Sequence, residues 1–175
     1  IVEEELEATP YEYTVTYRPP PISRSFRFSP TEIRHLILSA LLVIGVGLSL
    51  ALQVPLGLVI TPEILVSLAL IFTFAFLIHE LAHKLSAQRF GLWAEFRLTM
   101  FGALITLISI FLPFFKIISP GAVMIAGPIG KKVAGKTAIA GPLTNTALSI
   151  ASLMFALYLI NPPIQAVAML SATFN

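Results

Sequence analysis

The hydrophobic pattern divides the chain sharply in two. Residues 1–31 form its only polar stretch, in which Tyr11, Tyr13, Val15 and Tyr17 alternate with Glu12, Thr14 and Thr16. That is the period of a half-buried strand. Pro19, Pro20 and Pro21 end it, because proline brings no amide to a ladder. The alternative for this segment is an unstructured tether. Residues 32–175 are long apolar runs separated by helix punctuation. Ser29-Pro30-Thr31-Glu32 is a helix start, with Ser as cap, Pro at the first helical position and Glu three residues beyond the cap.

From Leu36 to Leu52 no residue is charged, and with its flanking turns this run reaches about the 20 residues that a bilayer-spanning helix needs. Thr61-Pro62-Glu63 caps a second helix, apolar from Ile64 to Ile78 and continuing to about Ser86. A third run extends from Leu98 to Ile118, with Pro113 as a kink and Lys116 near its end. A fourth begins at Gly141-Pro142 and ends near Ile160. Asn161-Pro162-Pro163 opens a fifth, which stops at Asn175, too short to span. The expected fold is an all-α polytopic membrane protein of about four transmembrane helices plus a truncated fifth, with a small β-hairpin element between the third and fourth.

Composition agrees: 57% of residues are hydrophobic, 11% are charged, and the mean hydropathy is +0.90. Soluble domains carry about 25% charged residues, so a disordered tail and a basic nucleic-acid-binding domain are both excluded. No cysteine is present, which removes disulfides and thiolate-held metal. The net charge of +2 conceals an asymmetry, for five of the nine acids lie in the first dozen residues. Every acid is Glu; the chain has no Asp.

Arg18, Arg24, Arg27 and Arg34 precede the first span, none falls between the first and second, and Lys84, Arg89 and Arg97 follow the second. The positive-inside rule therefore turns the N-terminus and the end of the second helix toward the cytoplasm. Lys131, Lys132 and Lys136 conflict with this if Leu98–Ile118 crosses the membrane. Either the rule fails here, or that run re-enters and returns to the same side.

The chemistry lies in His79-Glu80-Leu81-Ala82-His83, an H-E-x-x-H pattern near the end of the second helix. Spacing of four stacks the imidazoles on one face, about 6 Å apart along the axis, so that both reach one metal ion. Two imidazoles and a third ligand leave zinc an open position for water, which the metal activates for attack on a peptide carbonyl. Glu80, a quarter turn round, takes that water's proton. His79 and His83 are two of only three histidines. A Glu and two His in an apolar helix are costly unless paired or metal-bound. Lys84 follows directly, which puts the site within the bilayer thickness near its cytoplasmic face.

Three patches resemble the site-2 protease family of intramembrane zinc metalloproteases. His79-Glu80-Leu81-Ala82-His83, followed by Ala87 and Gly91, is similar to that family's H-E-x-x-H-x-x-x-A-x-x-x-G. Ala140-Gly141-Pro142-Leu143-Thr144-Asn145 is similar to its A-G-P-x-x-N. The β-like stretch Gly121 to Ala140 lies where the family has strands near its active site. The resemblance covers roughly residues 64–160. It implies zinc-dependent cleavage of transmembrane protein substrates, with zinc held by His79 and His83 and water activated by Glu80. It makes 32–175 a membrane-embedded metalloprotease core, multi-pass in the cell membrane. The family's third ligand is an Asp in an L-D-G motif, which this chain lacks; the expectation is that the motif lies beyond Asn175. His35, at the interface before the first span, and Glu95, near Arg97, are weak substitutes.

Asn145 has two readings: a hydrogen-bonding partner for helix backbones, or a group that binds substrate or the developing oxyanion. Gly130 to Thr137 matches the G-x-x-x-x-G-K-[ST] phosphate-loop pattern. Gly141-Pro142 interrupts the helix that motif requires, and no Asp exists to hold magnesium, so a basic hairpin turn is expected and neither nucleotide nor nucleic acid is a partner. The alternative function is a non-catalytic, membrane-protein-binding relative without a complete zinc site.

Overall fold

The computed structural model describes residues 27–51, 61–113, 115–158, 169 and 171–173. The strand expected at Tyr11–Tyr17 and most of the fifth helix lie outside the described residues. In chain order the elements are α1 (Pro30–Ala51), α2 (Pro62–Arg89), β1 (Trp93–Leu98), α3 (Met100–Phe111), β2 (Gly121–Ala126) and α4 (Lys131–Tyr158). Among the described residues, α1, α2 and α4 are long and apolar enough to cross a membrane. These three make the chain a membrane-associated protein.

The helix punctuation acts as expected. Ser29 Oγ accepts the Glu32 amide at 3.1 Å, and Thr61 Oγ1 faces the Ile64 amide at 3.5 Å. At the other end of α2, the Leu92 amide reaches Ala87 O and the Gly91 amide reaches Gln88 O. These two bonds form a Schellman motif around Gly91, whose φ of 73° is the left-handed conformation such an ending demands.

Helix α1 packs antiparallel on α2. A Cβ on Gly47 would come within 2.9 Å of Ala69 Cα, so the backbones meet closely there. Val43, Leu68, Phe72, Phe76 and Phe96 form the core between these helices and the sheet. The Phe76 and Phe96 rings meet edge to face at 5.9 Å.

Three expectations are corrected. The run Leu98–Ile118 is not one helix: α3 has 12 residues, about 18 Å, too short to span. Beyond it the chain turns back, tied to α3 by Ile117 N to Ser109 Oγ at 2.7 Å and Ser119 N to Thr106 Oγ1 at 3.2 Å. Leu98 and Gly121 are partners in the β1–β2 register, so the excursion ends where it began. Polar side chains within the run replace the backbone bonds that a full helix would have made.

The β element is likewise no hairpin between the third and fourth spans. It is an antiparallel pair, β1 with β2, flanking α3 on either side in sequence. Residues 131–137 of the expected basic hairpin turn are the opening of α4, which runs on through Gly141-Pro142. Pro142 removes one amide from the ladder but leaves the helix continuous. Seven of the eight phosphate-loop-like residues are therefore helical, with Val133 and Ala134 amides already given to Gly130 O.

Candidate metal centre

Helix α2 brings His79 and His83 to one face, and α4 covers that face. The two Nε2 atoms stand 3.1 Å apart, with ring centroids at 4.8 Å. Two imidazoles held tetrahedrally by one zinc, with bonds of about 2.0–2.1 Å, place their nitrogens about 3.3 Å apart. The pair thus fits one ion.

Three features of α4 create this fit. His83 Nδ1 lies 2.7 Å from Thr137 O. A carbonyl only accepts, so Nδ1 carries the proton and Nε2 keeps its lone pair for a metal. Gly141 crosses directly over both rings, and a Cβ there would clash with His83 Nε2 and His79 Nε2. Asn145, one turn further on, lies beside His79. His79 Nδ1 and Asn145 Oδ1 are buried without a hydrogen-bond partner among the described residues. Gly141 and Asn145 belong to the A-G-P-x-x-N stretch; Thr137 acts through its backbone, which no sequence motif reports.

Glu80 points toward the sheet. It borders a cleft of about 430 Å³ whose walls include His83, Val123, Ile125, Thr137 and Ala138. It also borders an apolar cavity of about 320 Å³ lined by Phe28, Leu36, Phe74, Phe96 and Val123. Glu80 and Val123 thus separate the two spaces.

The weak ligand candidates go elsewhere. His35 Nδ1 accepts the Leu98 amide at 3.3 Å, and Glu95 takes Ser29 Oγ at 3.2 Å and pairs with Arg97. No group of three His, Cys, Asp or Glu that could hold a metal occurs among the described residues. Among the described residues the structure brings together two imidazoles and a carboxylate, without a third candidate ligand.

One arrangement was hidden from the sequence. Glu32 is fully buried and pairs with the buried Lys84, whose Nζ also donates to Arg27 O at 2.8 Å and lies 4.0 Å from the Phe28 ring centroid. The second carboxylate oxygen of Glu32 accepts the Phe96 amide at 2.9 Å. Since Phe96 N–H points to α1, Phe96 and its partner Val123 form a non-hydrogen-bonded pair. The backbone groups of Val123 therefore face the opposite edge of the sheet, beside the cleft, without a backbone partner among the described residues.

Comparison with known proteins adds one sequence relative. Over 89 residues the chain is 39% identical to a protein of Methanocaldococcus jannaschii named "Putative zinc metalloprotease". The match covers 50% of this chain and 46% of the relative, so the chain spans less than half of that protein's length. No family model matches the chain, and no solved structure matches it.

Proposed function

We propose that the protein is a zinc-dependent endopeptidase that cuts transmembrane segments of other membrane proteins. The observation that carries this reading is the pair of Nε2 atoms 3.1 Å apart on a membrane-length helix, with Glu80 beside them at the mouth of a cleft. The name of the Methanocaldococcus jannaschii relative supports the zinc-peptidase part of this reading. His79 and His83 would hold the ion. Zinc bound there supplies the means to acidify a water molecule and to polarise a peptide carbonyl.

The chain's own residues do the rest. Glu80 takes a proton from the attacking water and delivers it to the leaving amine. Asn145, beside His79, would supply an amide donor to the oxygen that gains charge. A helical substrate hides its carbonyls, so it must be extended at the cleft. The open edge of β2 at Val123 and Ile125 offers backbone groups to such a segment. Arg27, Lys84, Arg89, Arg97 and Lys136 gather at one end of the three long helices, where Lys84 reaches Arg27 O, and Lys136 lies 5.7 Å from the Phe90 ring. The return of the chain at Gly121 removes the conflict that Lys131, Lys132 and Lys136 posed, and by the positive-inside rule this end is cytoplasmic.

A second reading, a relative that binds membrane proteins without cutting them, rests on the absence of a third ligand among the described residues. Metal analysis of the intact purified protein separates the two. One zinc per chain, lost in His79→Ala and His83→Ala, supports the peptidase; a wild-type protein that takes up no zinc supports the non-catalytic relative.

A further inference from the structure

We propose that Glu32 is a positioning residue, which sets the width of the cleft between the H-E-x-x-H face of α2 and the β1–β2 sheet. The kinetic consequence rests on the peptidase reading above; the geometric one does not. Glu32 Oε2 pairs with Lys84, the residue after His83. Glu32 Oε1 accepts the amide of Phe96, and Phe96 is the register partner of Val123. Val123 in turn stands with Glu80 and His83 around the cleft. One carboxylate therefore links His83–Lys84 on one wall to Phe96–Val123 on the other.

The arrangement is shielded from water. Glu32 is 0% exposed and Lys84 1%. Ser29 caps the Glu32 amide and bonds Glu95 on β1, so the helix start that carries the carboxylate is itself anchored to the strand. One turn along α1, His35 takes the amide of Leu98. Glu32 and His35 thus occupy alternate donors on the outer edge of β1, as a third strand would, and hold the sheet against α1, while Glu32 also reaches Lys84 on α2. An ion pair alone would be replaceable by apolar side chains at little cost in stability. The bond to Phe96 N is what such a replacement removes.

The test compares two double variants of the intact protein in lipid nanodiscs. Glu32→Met with Lys84→Met removes the charges and the acceptor together. Glu32→Gln with Lys84→Met removes the charges but retains an oxygen for Phe96 N. Spin labels at Leu85 and Met124, 37% and 42% exposed, report the distance between α2 and β2. The Met/Met protein is expected to show a shifted and broadened distance, an unchanged zinc affinity, and a kcat lower by up to about 10²-fold at a displaced water or carbonyl. The Gln/Met protein is expected to restore both distance and kcat. A Met/Met protein with wild-type distance overturns the proposal, as does a Gln/Met protein as impaired as Met/Met. A wild-type protein without cleavage refutes the peptidase reading, while the distances still decide the role of Glu32. If neither double variant folds, hydrogen exchange on the wild type decides: the Phe96 amide is expected to be as protected as the amides bonded within the sheet, and free exchange overturns the proposal.

Discussion

His83 Nδ1 and the carbonyl oxygen of Thr137 are 2.7 Å apart, and this contact determines which nitrogen of His83 is available to a metal. A histidine on an exposed helix can present either tautomer. Here α4 removes the choice for His83, whose Nε2 lies 3.1 Å from His79 Nε2. The candidate metal centre thus draws on two helices, α2 and α4, between which lie the β1–β2 pair and α3.

Gly141 is the tightest point of that arrangement. Gly141→Ala should cost about 1–3 kcal/mol through overpacking, and lower zinc affinity by about 10–100-fold by displacing a ring. Gly135 lies in the same helix with nothing within 4 Å of a built Cβ. Gly135→Ala should instead stabilise by about 0.5–1 kcal/mol. Thermal unfolding in detergent and a competitive zinc titration check the pair; equal effects at both positions would refute the close packing of α4 on the imidazoles.

Gly91 tests the end of α2 by backbone alone. Its φ is 73° and no atom lies within 4 Å of a built Cβ. Gly91→Ala should therefore destabilise by about 1–2 kcal/mol, the cost of a left-handed L-residue. A neutral effect in the same unfolding measurement would mean that the helix ends differently.

Lys116 closes the far end of α3. Its Nζ donates to Leu112 O at 2.7 Å, Ser109 O at 3.0 Å and Ser49 Oγ at 2.9 Å. Lys116→Met leaves those acceptors unserved and should cost about 1–3 kcal/mol. Unchanged stability would show that the turn after α3 is held some other way.

Much of this was legible from local chemistry. Ser29, Thr61 and Gly91 mark their helix ends because capping is a matter of a few adjacent residues. The His79–His83 face follows from helical spacing. The β1–β2 pair was not legible, because its partners are joined through an excursion that reads as one apolar run. Thr106, Ser109 and Lys116, which turn that run back, look like minor polar interruptions until their backbone partners are known. Pro142 misled in the other direction: proline is commonest at a helix start, yet here it lies inside α4, where Gly141 before it makes room for two histidine rings. Glu32 and Lys84 are far apart in sequence, and nothing local marks either as the other's partner. Ala140 to Asn145 pointed to the right helix, but only the structure shows why a residue without a side chain belongs at its centre.

The central claim, that His79, Glu80 and His83 form the reacting centre of a peptidase, is tested most directly by Glu80→Gln in the intact, zinc-loaded protein. The measurement is cleavage of a membrane-embedded peptide substrate in nanodiscs, made beside a zinc determination on the same samples. The account predicts that the variant retains the wild-type zinc content and loses cleavage by at least about 10²-fold, the lower range for removing a general base. Wild-type cleavage by the Gln variant would contradict it.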